Sequence, residues 1–319
     1  MQKVSVIIPV HNSEVHLAQC LESVCSQTLR ELEIICVNDF STDKSFLILQ
    51  ESAKKDPRIK LINLLQNKGA AFARNIGIEN ATGEYLGFVD SDDFIEQNFY
   101  EKLYKKAVET NADTVKGNIR IFCPKTNSIT NDAWIDINEI VKQHKANFCF
   151  AFTSAIFRTS LIKENSIKFL EGLIHFEDPF FTINAALFYK KLEVIDDVFY
   201  YYVNNPNSAS RKEIGLNHIE SLIAGTARVL DLLDQKCSDK THYIIVFNFL
   251  LEQVLCWCNR IDVTDQINAK AVSGLFLLFS RCKFGEECST YHFLQKKKNR
   301  KSEIIKQLRS KVKYDLKSS

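Results

Sequence analysis

Glycine is scarce in this chain, and its distribution excludes two common nucleotide-binding loops. The 319 residues include only ten glycines and five prolines, and the first glycine is Gly69. A G-x-G-x-x-G dinucleotide loop or a G-x-x-x-x-G-K-S/T phosphate loop after the first strand is therefore excluded. With 45% hydrophobic and 25% charged residues, the chain also falls outside the collagen-like, disordered and low-complexity classes.

Paired cysteine motifs and long apolar runs are also missing. The ten cysteines are scattered without a C-x-x-C pair, which argues against a structural zinc site and is typical of buried thiols in a reducing compartment. The N-terminal Met-Gln-Lys-Val-Ser lacks the features of a signal peptide, and no window reaches 18 uncharged apolar residues. We therefore expect a cytoplasmic protein, either free or peripheral on the cytoplasmic face of the inner membrane.

The net charge of the whole chain is small, but the charge is distributed unevenly. The net charge of +2 gives no reason to expect a nucleic-acid partner. Residues 296–319 nevertheless carry ten basic and two acidic side chains, a net of +8 that leaves −6 for the rest. This tail has an apolar stripe formed by Ile304, Leu308, Val312 and Leu316. The pattern is typical of a helix on an anionic membrane surface, and equally of a solvated helix that packs its stripe on the protein.

Strand and helix patterns alternate along the first 120 residues. The strand patterns, led by the continuous apolar run VSVIIPV, lie at 4–10, 32–38, 59–63, 84–90 and 113–122. Segments with helical spacing of apolar residues separate them. This alternation predicts the α/β class, with a mainly parallel sheet flanked by helices on both faces. The middle of the chain is less regular, and the pattern is helical from about 211 onwards. We therefore predict a first domain over 1–210 and a helical C-terminal region over 211–319.

Polar side chains gather where two of the predicted strands end. Asp39 follows the second strand, and Asp90, Ser91, Asp92 and Asp93 follow the fourth. In open α/β sheets, ligands bind at the carboxyl ends of the strands. Two carboxylates in a D-x-D turn can bind one Mg²⁺ or Mn²⁺ ion and leave positions open for diphosphate oxygens. Acidic turns and helix caps produce the same pattern, so the motif alone is a weak signal.

Four motifs follow one another in a fixed order. They are VSVIIPVHNSEVHLAQCLESVCSQTL, EIICVNDFSTDKS, NKGAAFARNIGIENATGEYLGFVDSDD and the later FED. Together they resemble family 2 of the glycosyltransferases, over about 1–120 continuously and more weakly over 150–210. The resemblance implies a GT-A (Rossmann-like) fold for 1–210, which would hold the nucleotide-sugar and catalytic sites. It does not extend to 211–319.

The resemblance implies nucleotide contacts at the first two strand ends. Pro9 and Val10 would contact the nucleotide through backbone atoms, and Asp39 would accept a hydrogen bond from a uracil-like base. Asn38 and Phe40 depart from the family's D-D-G-S-T-D pattern. Because Phe40 replaces a glycine, easy access to positive φ is lost, and the expected turn geometry and base preference are affected. The structural alternative for Asp39 is a residue at the start of the next helix.

The resemblance also implies a diphosphate and metal site. Arg74 in A-R-N-x-G, with help from Lys68, would lie near the diphosphate or the donor sugar, where a guanidinium suits phosphate oxygens. A surface salt bridge is the alternative for Arg74. Asp90 and Asp92 would form the metal pair, with Asp92 as the preferred direct ligand. Asp90 and Ser91 would contact the sugar or the ribose.

The catalytic base implied by the resemblance lies in His175-Phe176-Glu177-Asp178-Pro179. Asp178 would take the proton of an acceptor hydroxyl as that oxygen attacks the anomeric carbon. Glu177 is the alternative base, and His175 is a lesser candidate for contact with the metal or the acceptor. An aspartate before a proline is also a good helix start, and the two roles are compatible.

The resulting hypothesis is an inverting, metal-dependent hexosyl- or N-acetylhexosaminyltransferase. It would move a sugar from a nucleoside-diphosphate sugar, with UDP preferred, to a hydroxyl of a glycan or lipid-linked glycan. Cell-surface polysaccharide or lipooligosaccharide synthesis is the implied setting, and 296–319 could contact an anionic membrane surface. One alternative is a non-catalytic sugar-nucleotide-binding or scaffold protein. A sugar-phosphate nucleotidyltransferase is a weaker alternative, because it needs a glycine-rich loop after the first strand.

Overall fold

The computed structural model describes residues 2–131, 151–173, 177–205 and 216–239, and four further helical residues, Tyr243, Val246, Phe247 and Leu250. The chain divides into two units, Met1–Gly172 with Glu177–Lys212, and Leu173–Phe176 with Glu213–Ser319. The functional division predicted at residue 210 stays a prediction. His175 and the basic tail 296–319 lie outside the described residues.

Strands and helices alternate strictly from Val4 to Phe88, as the sequence predicts, and less regularly further along the first unit. The strands are β1 (Val4–Val10), β2 (Leu32–Asn38), β3 (Ile59–Asn63), β4 (Tyr85–Phe88), β5 (Phe94–Ile95), β6 (Thr114–Cys123), β7 (Ser128–Asn131), β8 (Ala155–Arg158) and β9 (Leu192–Val203). The helices are α1 (Leu17–Cys25), α2 (Ser45–Lys55), α3 (Ala70–Asn80), α4 (Phe99–Thr110), α5 (Thr159–Glu164) and α6 (Glu177–Ala186). β1, β2 and β3 have the predicted bounds, whereas the predicted strand 84–90 ends at Phe88.

The described strands form one mixed sheet in the order β3-β2-β1-β4-β8-β6-β9-β5, and β7 pairs with β6. β3, β2, β1 and β4 are parallel to one another. β8 lies antiparallel between β4 and β6, and β9 is parallel to β6 but antiparallel to β5. The predicted α/β class is confirmed, and its parallel character belongs mainly to the N-terminal half. In that half, the carboxyl ends of the strands share one edge.

The core explains why the first strands were readable from sequence. Every residue of β1 and β2 is buried, as expected for strands covered on both faces. Further along the sheet, an aromatic cluster surrounds Phe88, which makes edge-on contacts of 5.4–6.4 Å with four other rings, those of Phe152, Phe157, Phe169 and Phe181. Burial of such large rings is a major stabilising term.

The second unit contributes one long described helix, α7 (Leu216–Lys236). Its buried residues recur at helical spacing and include Leu222, Thr226, Val229 and Leu233. This agrees with the predicted helical character of the C-terminal region as far as it is described. Within the described part of the chain, no helix combines the length and the hydropathy that a membrane crossing requires.

Candidate active site

The loops that follow β1, β2 and β4 are joined by side-chain hydrogen bonds at the carboxyl edge of the sheet. The Asn12 N–H donates to Ser41 Oγ at 3.1 Å, and the Thr42 N–H donates to Asn12 Oδ1 at 2.8 Å. Ser13 Oγ lies 2.6 Å from Ser91 Oγ, which links the first loop to the acidic turn. Most polar side chains predicted to form the site therefore lie on loops that support one another.

Asp39 is buried, and both of its carboxylate oxygens have backbone partners. The N–H groups of Lys68 and Gly69 donate to Oδ1 and Oδ2, each at 2.7 Å. Gly69 has φ of 88°, a conformation that glycine adopts without steric cost, and it directly precedes α3. Asp39 thus holds the two residues that directly precede α3, close to the positive end of the helix dipole. Its predicted contact with a base stays a prediction.

The turn at Phe40 keeps a left-handed backbone without glycine. Phe40 has φ of 55°, and its side chain is 48% exposed. A bulky residue is unfavourable in this region by about 1–2 kcal/mol, so the neighbouring contacts must hold the turn. The hydrogen bonds of Asn12 to Ser41 and Thr42 do so from the opposite loop. Asn38 lies beneath, where its Nδ2 donates to Asn63 Oδ1 at 2.6 Å.

Pro9, Val10 and Lys68 present different surfaces to this edge. Pro9 and Val10 are buried within β1, and the Val10 carbonyl accepts a hydrogen bond from the Asp39 N–H at 2.8 Å. Their side chains are thus part of the core, so a ligand contact would have to use backbone atoms, as the resemblance implies. Lys68 has an exposed side chain at the start of α3.

Arg74 joins the acidic turn to the start of α6. This α3 residue donates from Nη2 to Asp90 Oδ1 at 2.7 Å and from Nη1 to Glu177 Oε1 at 3.1 Å. Its guanidinium lies 4.9 Å from the ring centroid of Phe152 and 5.2 Å from that of Phe169. Burial lowers the pKa of Arg74, but the two carboxylates outweigh this and raise it above its usual value. It is a buried cation rather than a surface ion pair.

The acidic turn, residues 90–93, concentrates negative charge. Burial and then the charge of Asp90 raise the pKa of Asp92 above its usual value. Asp93 is fully buried, and burial together with its acidic neighbours raises its pKa strongly. Its Oδ2 accepts a hydrogen bond from Tyr200 Oη at 2.6 Å, and its Oδ1 accepts one from the Val203 N–H at 2.8 Å. Asp90 and Asp92 are therefore the carboxylates of this turn that remain available to a ligand.

The donor set of Asp90 and Asp92 fits a hard divalent cation such as Mg²⁺ or Mn²⁺. Carboxylate oxygens are the preferred ligands of these ions. Burial and then the charge of Asp90 raise the pKa of Asp92, and a nearby cation would oppose both effects by favouring the ionised carboxyl. Among the described residues, no three His, Cys, Asp or Glu side chains converge on one point. The remaining ligands would have to come from water or a bound diphosphate.

Asp178 lies in the first turn of α6, next to the Arg74 bridge. Desolvation of its carboxyl and the charge of Glu177 raise the pKa of Asp178 to about 7, while Arg74 opposes the shift. A carboxylate with a pKa near neutrality is suited to accept a proton. Pro179 follows at the helix start, so the structural role predicted for this pair is compatible with a catalytic one.

Tyr200 and the rings around Arg74 were missed as parts of the site. Tyr200 belongs to a run of aromatic residues in β9 and is only 1% exposed, as a core residue would be. Its hydroxyl nevertheless contacts the acidic turn. Phe152 and Phe169 carry no motif at all. The usable signal for Tyr200 was its polar group within a buried strand, because a buried hydroxyl needs a partner.

The arrangement of the sheet is that of the GT-A fold. The crystal structure of S. aureus TarS 1–349 in complex with UDP-GlcNAc superimposes with a TM-score of 0.71 at 23% sequence identity, over 87% of this chain and 81% of that one. At this level of identity, the likeness defines the fold.

The sequence comparison defines the family. The profile of glycosyl transferase family 2 matches residues 5–165, about half of the chain. The chain is 32% identical over 216 residues to the uncharacterized glycosyltransferase EpsJ of Bacillus subtilis (strain 168), which covers 64% of this chain and 62% of that protein. It is also 36% identical over 205 residues to a poly(ribitol-phosphate) beta-glucosyltransferase of Bacillus spizizenii, covering 63% of this chain but 32% of the relative. The chain belongs to glycosyl transferase family 2.

Proposed function

We propose that this chain is an inverting, metal-dependent glycosyltransferase that moves a sugar from a UDP-sugar to a hydroxyl of a cell-surface glycan acceptor. The observation that carries the proposal is the bridge from Asp90 through Arg74 to Glu177. It places the acidic turn, suited to the donor, beside the helix start that bears Asp178. The pKa of the Asp178 carboxyl is raised to about 7.

In the proposed reaction, Asp178 acts as the general base. Its carboxylate takes the proton from the acceptor hydroxyl while that oxygen forms a bond to the anomeric carbon. The bond from this carbon to the diphosphate oxygen breaks, its electron pair leaves with the nucleoside diphosphate, and the configuration inverts. Arg74 keeps Glu177 and Asp90 paired with a positive charge, which supports the ionised form of Asp178.

On the donor side, Pro9, Val10 and Asp39 would line the base subsite, and Ser91 would contact the sugar or ribose. Lys68 and Arg74 would add positive charge near the diphosphate. Asp90 and Asp92 would hold Mg²⁺ or Mn²⁺, which supplies charge stabilisation for the leaving diphosphate when bound. The UDP-GlcNAc complex of TarS, which has the same fold, supports the choice of a UDP-sugar.

For the acceptor, the relatives support a polymer of the cell surface. The Bacillus spizizenii relative is named for transfer of glucose to poly(ribitol-phosphate). We propose a glycan or lipid-linked glycan hydroxyl in this class of polymer, and a cytoplasmic enzyme whose basic tail 296–319 can attach it to an anionic membrane surface. Deleting the tail should release the protein from anionic liposomes, and undiminished binding would reject the membrane contact.

The test of the function is a donor screen that measures the release of nucleoside diphosphate. We expect release from one UDP-sugar only with Mg²⁺ or Mn²⁺ present. Asp178→Asn should reduce this rate by at least about 100-fold and retain UDP binding. Asp197→Asn is a matched control, because Asp197 is 75% exposed and its ion pair with Lys102 lies at the surface. Full transfer by Asp178→Asn would remove Asp178 as the base, and UDP binding without turnover of any sugar would favour the non-catalytic alternative.

A further inference from the structure

The end of β9 holds the acidic turn at several points. Tyr200 Oη donates to Asp93 Oδ2 at 2.6 Å and accepts a hydrogen bond from the Asp90 N–H at 3.1 Å. Three residues later, the Val203 N–H donates to Asp93 Oδ1 at 2.8 Å. The side chain of Asn205 then forms a hydrogen bond with Asp92. β9 thus contacts two of the four turn residues, Asp90 and Asp93, and Asn205, just beyond the strand, contacts a third.

The register of this contact is fixed by the strand that follows the turn. β5 begins at Phe94 and pairs antiparallel with β9, so that Phe94 lies opposite Tyr201 and Ile95 lies opposite Tyr200. The rings of Phe94 and Tyr201 stack at 4.7 Å with an interplanar angle of 9°. Because side chains alternate between the faces of a strand, this stack directs the neighbouring Tyr200 into the core towards the turn.

The hydroxyl of Tyr200 has no access to water that could replace these partners. Tyr200 is 1% exposed and Asp93 is 2% exposed. The hydroxyl donates to the Asp93 carboxylate and accepts from the Asp90 N–H, so both its donor and its acceptor capacity are satisfied within the turn. Removing the oxygen would leave the Asp90 N–H and one oxygen of Asp93 without this partner, and buried polar groups rearrange to avoid that state.

We propose that Tyr200 is a positioning residue for the metal carboxylates: its hydroxyl fixes the peptide of Asp90 and the side chain of Asp93, and thereby the geometry in which Asp90 and Asp92 face a cation. The proposal rests on the proposed function, because it presumes a cation at Asp90 and Asp92. Because Tyr200 is 1% exposed, it would act through the turn rather than by contact with the donor or the metal. Its loss should therefore weaken the metal-dependent part of nucleotide binding and spare the part made at the Asp39 end.

Tyr85 offers a matched control within the same sheet. It is also 1% exposed, and its hydroxyl also makes a buried hydrogen bond, to the carbonyl of Ala112 at 2.8 Å. Neither Tyr85 nor Ala112 belongs to the site. Tyr85→Phe and Tyr200→Phe each delete one buried hydroxyl from a tyrosine and keep the ring. A merely structural role for Tyr200 predicts that the two variants behave alike.

The experiment measures UDP binding to the full chain by calorimetry, with and without Mn²⁺, and Mn²⁺ binding by electron paramagnetic resonance. We expect Tyr200→Phe to weaken Mn²⁺ binding and Mn²⁺-dependent UDP binding about tenfold, the effect of about one well-placed hydrogen bond. Metal-free UDP binding should stay within about twofold of the wild type, and Tyr85→Phe should stay within about twofold in all three measurements. Thermal unfolding of both variants reports their stability.

A second variant covers the case in which Tyr200→Phe does not fold. Asp93→Asn keeps the shape of the side chain but replaces one acceptor oxygen with a donor, and it should produce the same selective loss of Mn²⁺ binding. If wild-type protein shows no metal-dependent UDP binding, the proposed function fails, and the positioning role fails with it. If the wild type binds and both site variants match Tyr85→Phe, the positioning role alone is overturned.

Discussion

Two carboxylate centres lie at the carboxyl edge of the sheet, and they differ in how their negative charge is compensated. Asp39 is buried after β2, and two backbone N–H groups donate to its oxygens. Asp92 lies after β4 beside Asp90, and burial together with that neighbouring charge raises its pKa. Backbone N–H groups thus compensate the charge of Asp39. In the acidic turn, three carboxyl groups lie close together, and Arg74 forms an ion pair with Asp90 alone among them. A centre of the second kind is the one that gains from binding a cation.

Of the substitutions that test this comparison, we expect removal of Arg74 to have the largest effect. Arg74→Ala would leave Asp90 and Glu177 without their buried partner, and we expect the free energy of unfolding to fall by about 3–5 kcal/mol. Turnover should fall at least about 100-fold, because α6 would lose its link to the turn. Chemical denaturation and the rate of UDP release measure the two effects. Lys102→Ala, which removes an exposed ion pair, is the control, and an equally mild result for both would contradict the bridge.

The pH dependence of turnover sharpens the comparison on the acidic side. A base must be deprotonated, and the pKa of Asp178 is raised to about 7 by desolvation and by Glu177. The rate should therefore fall about tenfold per pH unit below that value and level off above it. Because the raised pKa disfavours the folded carboxylate, Asp178→Asn should be more stable than the wild type at alkaline pH. A flat rate profile between about pH 5 and 7 would contradict this assignment.

Isosteric substitution of the two centres should change stability in opposite directions. Asp39→Asn places an amide NH₂, a donor, opposite the N–H of either Lys68 or Gly69. We expect the free energy of unfolding to fall by about 1–3 kcal/mol. Asp92→Asn removes a charge that burial and the neighbouring Asp90 disfavour, and it should raise the free energy of unfolding at neutral pH. The same variant should abolish metal-dependent UDP binding. Denaturation without metal compares the two, and changes of equal sign would refute the distinction between the centres.

The smallest expected effect is at Phe40, on the Asp39 side. Phe40 has a left-handed backbone conformation and is 48% exposed. Phe40→Gly removes the steric cost of that conformation, and this gain in stability roughly offsets the lost contacts of the ring and the backbone entropy of glycine. We expect a net change below about 1 kcal/mol. Phe88→Ala, at the centre of the aromatic cluster, should cost about 3–5 kcal/mol by the same thermal or chemical unfolding assay. A large loss in Phe40→Gly would show that the ring itself holds the turn.

The sequence predicted the elements that carry a continuous local signal. β1 and β2 were found at their bounds because strands buried along their whole length are mainly apolar. β3 was also found at its bounds, although only Ile59 of its five residues is buried. β5 has two residues and β8 has four, too few for any periodicity to be recognised. The antiparallel position of β8 between β4 and β6 also depends on pairing between distant segments. No local pattern records that choice.

The same limit applies to the site. The D-x-D pair, Arg74 and Asp178 were located because they lie in recognisable motifs, although their roles remain predictions. The partners of these residues were not predicted: Asp39 bonds to backbone groups 29 and 30 positions away. Tyr200 lies 107 positions from Asp93. Motifs identify the residue types of a site, whereas the contacts that orient them follow from the three-dimensional fold.

The Arg74 bridge has a consequence for how the site comes into being during folding. Its two ion pairs join residues separated by 16 and by 103 positions, so the second requires closure of a long loop before it can form. Contacts of such separation generally form late and slowly. The segment matched by the family profile ends at residue 165, before Glu177, Asp178 and Tyr200. A polypeptide limited to that segment would carry the first three of the four motifs, but it would lack the FED motif with the proposed base Asp178, and it would lack Tyr200.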